Sequence, residues 1–111
     1  TFTAAQRGEI TALTSATTIT IDMADSNNFS VTLAHNATFA NPSNLTAGQS
    51  GSIFITQDGT GSRTCTLGTD YESAASGGIT LTTTANATDI VPYVVAAANR
   101  ILLGTPQLAF G

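Results

Sequence analysis

The chain has 111 residues, 41% of them apolar, enough for one modest core and for a single domain over 1–111. Charged residues make up only 9%, with three arginines (Arg7, Arg63 and Arg100), no lysine and a net charge of -4, so no basic stripe displaces counterions from phosphates. Nucleic acid and a polybasic membrane anchor are excluded on that ground, and the single Cys65 can close no intrachain disulfide and build no thiolate metal cage alone.

Thr3, Ala4, Ala5 and Gln6 fit a helix-capping pattern that Gly8 would stop, so residues 1–16 read as a short N-terminal turn or arm. From Thr17 the period changes to two: Ile19, Ile21 and Met23 face one way and Thr18, Thr20 and Asp22 the other. Asp25 to Asn28 has the Asx chemistry of a turn, and Phe29, Val31 and Leu33 alternate after it, which predicts a hairpin. Phe39 lies on a short strand ended by Asn41 to Asn44. Ser52 to Gln57, with Ile53 and Ile55 on one face and Phe54 on the other, is the expected central strand. The turn-rich Asp58 to Ser62 then leads into Cys65 and Leu67 as a second hairpin.

Ile79 and Leu81 alternate with Thr80 and Thr82 after Gly77 and Gly78, predicting another strand. Asp89 to Ala98 is apolar and β-branched, and Pro92 inside it belongs at a bulge or an edge because proline cannot donate to a ladder. Ile101 to Leu103 returns antiparallel to that run, and Leu108 with Phe110 makes a last short contact. Strand signals every 8 to 12 residues or so, without intervening helical patterns, predict an all-β antiparallel β-sandwich, jelly-roll-like, of seven to nine short strands and no parallel sheet.

No motif in the chain carries chemistry. Gly48 to Ser52 approaches the nucleophile elbow but ends in serine and runs into a strand where the elbow needs a helix. His35 is the one histidine and reads as a solvated ring near a strand end. Asp58, and the pair Asp22 and Asp25, lack calcium-ligand spacing, so Asp58 is expected to order its own turn. Glu9 and Glu72 are the only glutamates available as a hydrolytic pair and nothing supports them in that role. Cys65 shares a phase with Leu67 and reads as a small buried side chain, with Arg63 two residues away as the only cation that would activate it. The expectation is a protein that is no enzyme, with no catalytic residue, cofactor or metal.

The segment Ala47 to Thr64, AGQSGSIFITQDGTGSRT, resembles a recurrent stretch of tailed-bacteriophage virion proteins: capsid decoration proteins, head fibres and the C-terminal β-sandwich domains of tail fibres. Asn27 to Leu33 before it and Leu81 to Val95 after it resemble the same family. The resemblance implies a structural protein at the virion surface, most simply a homotrimeric capsid decoration or head-fibre protein that binds the major capsid protein and stabilises the shell. The alternative it implies is a tail-fibre or tail-tip domain that binds a bacterial surface receptor or glycan. Asn27, Asn44, Asp58, Thr60, Arg63 and Tyr71 are the expected partner-contact positions, as polar or stacking groups on loops. A small complete protein and the tip of a long fibre both fit such a chain.

Overall fold

A computed structural model describes residues 8–111, so the capping pattern at Thr3 to Gln6 lies outside the described residues. Among the described residues there are ten strands: β1 (Ile10–Ala12), β2 (Thr18–Asp22), β3 (Asn28–Leu33), β4 (Ala37–Ser43), β5 (Ser50–Gln57), β6 (Cys65–Leu67), β7 (Tyr71–Glu72), β8 (Thr88–Ala97), β9 (Arg100–Leu103) and β10 (Gln107–Phe110). A 3-10 turn at Ala74–Ser76 is the only helical element among those residues. The large sheet has the order β1-β3-β5-β8-β9-β7, with β10 also on β8, and the small sheet has the order β2-β4-β6.

The inward faces follow from alternation. Ile19, Ile21, Met23, Ala37 and Phe39 of the small sheet meet Phe29, Val31, Leu33, Ile53, Ile55, Val91 and Val95 of the large one, forming a single buried cluster. Phe29, Leu33, Ile21 and Ile101 are wholly buried, and each contributes roughly 1.5–3 kcal/mol by leaving water. The all-β sandwich and the central position of β5, between β3 and β8, are therefore as the sequence predicts.

The pairing differs from the antiparallel expectation. β1 with β3, β3 with β5, β2 with β4, β4 with β6, and β7 with β9 are parallel; only β8 is antiparallel to its neighbours β5, β9 and β10. From β1 to β6 the chain alternates between the two sheets, so each parallel pair is joined by a strand of the opposite layer. A parallel pair needs a long crossover, usually a helix. Here the facing strand is that crossover, and a parallel ladder forms without any helical pattern in the sequence. The two predicted hairpins do not exist, since β2 and β3 lie in different sheets, as do β5 and β6.

Three further corrections concern single elements. Part of the expected N-terminal arm is β1, paired with Asn28 to Ser30. Tyr71–Glu72 adds a strand beside β9, which brings the count above the seven to nine expected. Residues 79–82 are not a strand, although Leu81 is buried. The backbone partners of Thr82 are side chains: Asp89 Oδ2 accepts its N–H at 2.6 Å, and Gln57 Nε2 donates to its carbonyl at 2.9 Å. Two core-facing polar groups thus take the place of a neighbouring strand and satisfy a backbone that has left the ladder.

Pro92 sits inside β8 at neither a bulge nor an edge. The Val95 N–H donates to Gln49 on the β5 side, so by alternation the Pro92 nitrogen faces the opposite side. There β9 has ended at Leu103 and β10 begins only at Gln107, so the missing donor falls in a gap between two partners. The Pro92 carbonyl still accepts the Gly104 N–H at 2.8 Å.

Candidate functional site

The segment from Ala47 to Thr64 consists of a turn, the central strand and the loop beyond it. Its polar residues hold the sandwich together. Gly48 has φ +95 and donates its N–H to Val95, closing the turn. Gln49 Nε2 donates to the carbonyls of Met23 at 3.0 Å and Ser26 at 2.9 Å, fastening the β2–β3 turn. At Gly51 a Cβ would collide with the Asn27 carbonyl, so only glycine lets that turn cross β5.

At the other end of β5, Gln57 is 2% exposed and fully engaged: it donates to the Arg63 and Thr82 carbonyls and accepts the Arg63 N–H at 3.0 Å. Asp58 accepts the Thr60 and Gly61 N–H groups and forms an ion pair with Arg63, Nη2 to Oδ2 at 3.0 Å. The Arg63 hydrogen bond, then that of Gly61, holds the Asp58 carboxyl below the usual range. Gly61, at φ +74, lies where a Cβ would come within 2.7 Å of the Thr83 carbonyl. Asp58 therefore orders its own turn, and its oxygens are already occupied by protein donors.

The predicted contact residues fall into separate places. Asp58, Thr60 and Arg63 share one loop beyond the C-terminal end of β5. Asn27 and Asn44 lie at the opposite end, where the Asn27 carbonyl accepts the Tyr93 hydroxyl and Asn44 Nδ2 donates to Asp22 at 2.8 Å. Asn27, Asn44 and Thr60 are exposed, and Asp58 and Arg63 are half-buried. Tyr71 is a correction: it lies on β7 rather than a loop and is only 7% exposed, so its ring offers no open stacking face. Burial raises its hydroxyl pKa, and the hydroxyl has no partner among the described residues.

The residues weighed for chemistry are occupied or scattered. His35 Nδ1 is 3.0 Å from Ser15 Oγ, which accepts the Ala34 N–H, and Ser50 is an ordinary position of β5. Glu72 forms a bidentate pair with Arg100 at 2.6 and 3.1 Å, and Glu9 is exposed. Cys65 is half-buried, and desolvation, with Asp89 nearby, pushes its thiol up to about 11. Arg63, its expected activator, is engaged by Asp58.

One concavity is marked by no sequence motif. It is a groove of about 580 Å³ where both sheets end on the same side, between β6 and β7, arched over by Ser73 to Ile79. On β6 the Thr64 carbonyl and Gly68 N–H turn to β4, so alternation points the Cys65 and Leu67 amides away from β4, at an unpaired edge. Asn41 donates to Thr69 Oγ1 at 3.1 Å and accepts the Asp70 N–H, and Ser73 Oγ accepts the Gly78 N–H at 2.7 Å. Both hydroxyls keep a free O–H donor. Ala75, Ser76 and Gly78 all have positive φ, at 54, 58 and 72, which gives the arch its tight curvature.

Sequence reasoning also passed over the buried polar clamps. Gln57 shares the phase of Ile53 and Ile55, and Asp89 that of Val91 and Tyr93; a polar residue on the core phase of a strand was the available signal. The groove had none: its lining is one contiguous run, Cys65 to Ile79, and it takes shape only because β6 and β7 join different sheets.

No protein of curated function and no solved structure matches this chain. Residues 12–98, from the end of β1 through β8, match the family model described as "Putative phage tail fibre C-terminal domain". That span holds the Gln49, Gly51, Gln57 and Asp58 clamps that shape the sandwich, and the chain belongs to this family, as a structural domain of the phage particle.

Proposed function

We propose that this phage structural domain forms the distal part of a tail fibre, assembles as a homotrimer and attaches the particle to the bacterial surface. One observation carries the assembly: the outer face of the large sheet is nearly free of charge and carries a strip of apolar side chains. Register places Ile10, Phe54, Ile90, Pro92, Val94 and Leu102 on that side, opposite the core. Ile10 is 55% and Val94 42% exposed, and the remaining side chains from β1 to β5 on this face are Ala, Asn, Ser and Thr. At the β7 margin the Glu72–Arg100 pair ends the strip.

Contiguous apolar surface of this kind marks an interaction site. Around a three-fold axis, three neutral faces turned inward pack together without like-charge repulsion, even in a chain of net charge -4. The tail-fibre location rests on the family match. Docking on the major capsid protein, as a decoration or head-fibre protein, is the reading with less support.

Light scattering on the purified chain tests the assembly. A trimer is expected, and Val94→Asp or Phe54→Asp should yield monomers with unchanged β-sheet circular dichroism. A wild-type monomer at high micromolar concentration refutes it. Antibody labelling of intact particles separates tail from head.

A further inference from the structure

We propose that the groove between β6 and β7 binds a neutral saccharide, an inference that rests on the surface-attachment reading above. Its volume of about 580 Å³ falls within the roughly 300–1,000 Å³ of ligand pockets. Its lining selects the ligand class. Thr69, Ser73 and Ser76 present hydroxyls, and the Cys65 and Leu67 amides line an unpaired edge. A sugar ring, with vicinal hydroxyls that both donate and accept, is complementary to such a mixture.

Other ligand classes fit less well. An anion finds no free cation among the described residues of the groove, because the Arg100 guanidinium is held by both Glu72 oxygens. A hydrocarbon finds only Leu67, Ile79 and part of Cys65 and Tyr71. A peptide adding a strand to β6 has three residues to pair with and the Ser73–Ile79 arch in its way.

The hydroxyls are also preorganised. Thr69 and Ser73 are fixed as acceptors by Asn41 and by the Gly78 N–H, so the remaining O–H of each is aimed without further loss of freedom. Two consecutive left-handed non-glycine residues, Ala75 and Ser76, shape the arch over the groove.

Gly77 supplies the variant. Its φ is -77, and an added Cβ would meet nothing closer than the Ala74 carbonyl at 3.5 Å, so Gly77→Leu fits the backbone and adds bulk at a residue that lines the groove. The purified chain is applied to an array of neutral and acidic bacterial O-antigen and capsular oligosaccharides. Neutral glycans are expected to be retained, with at least a tenfold loss in Gly77→Leu, at unchanged melting temperature and oligomeric state. Glycan binding that Gly77→Leu leaves intact overturns the groove while the attachment reading stands. Retention of acidic glycans alone also overturns it. Absence of any glycan binding overturns the groove, while adsorption of the fluorescently labelled chain to intact host cells tests the attachment reading separately: adsorption supports it and its absence overturns it.

Discussion

The Tyr93 hydroxyl donates to the Asn27 carbonyl at 2.5 Å, tying β8 to the β2–β3 turn across 66 positions of chain. Gln49 supports the same hydroxyl from 3.4 Å, and Gly51 leaves room for the carbonyl to approach. Tyr71 is the opposite case: buried on the same sheet, its hydroxyl meets no partner among the described residues. Removing one hydroxyl breaks a bond, and removing the other relieves an unsatisfied group. Tyr93→Phe is therefore expected to destabilise by about 1–3 kcal/mol. Tyr71→Phe is expected to be neutral or stabilising by about 1 kcal/mol. Urea denaturation of the two variants checks the difference in sign.

The crossing at Gly51 predicts a sharper effect. A methyl group there must displace the Asn27 backbone rather than a flexible side chain. Gly51→Ala should destabilise by about 2–4 kcal/mol. Gly59→Ala, where a Cβ has nothing within 4 Å, should change stability by less than about 1 kcal/mol. Thermal unfolding of both reads the contrast, and equal losses would refute the crossing.

Gln57 and Asp89 together hold the backbone of Thr82. Gln57→Leu keeps volume but leaves the Arg63 and Thr82 groups unpaired, for a loss of about 2–4 kcal/mol. Gln57→Glu places a carboxyl against two carbonyls, which raises its pKa in the folded state. A raised folded pKa means that the variant is relatively most stable in acid and weakens as pH rises through that value. Melting temperatures of Gln57→Glu relative to wild type between pH 4 and 8 test the sign.

Three surface carboxylates act in the reverse direction. Asp58 is held below the usual range by Arg63 and then Gly61, Asp22 by Asn44 and then the Ala24 N–H, and Glu72 by Arg100. Depressed folded pKa values contribute stability that is present above the unfolded values of about 4 and is lost as pH falls through the folded ones. Solvent screens all three, so the loss is modest. Wild type should show a declining melting temperature below about pH 4, and Asp58→Asn should flatten that decline.

Cys65 offers a chemical readout. With its thiol at about 11, little thiolate exists at neutral pH. Maleimide labelling of the folded chain at pH 7.5 should run roughly a hundredfold or more slower than in denaturant. Rapid labelling without denaturant would show that Cys65 is not desolvated.

Alternation in the sequence determined where the strands run and which side chains face inward. Ile19, Ile21, Phe29, Val31, Ile53, Ile55 and Val91 were legible as core because a strand's side chains alternate faces whatever its partner. Strand direction was not legible, since the same alternation serves a parallel or an antiparallel neighbour. Only the tertiary structure decided that β3 joins β5 rather than β2, because the connecting strand β4 buries its own apolar face on the opposite layer. The extended course of residues 79–82 without a strand partner, and the groove beside β6 and β7, were decided at the same level. They depend on Gln57, Asp89, Asn41 and Ser73 meeting backbone groups that lie several to nearly thirty residues away, and no local pattern encodes which groups those will be.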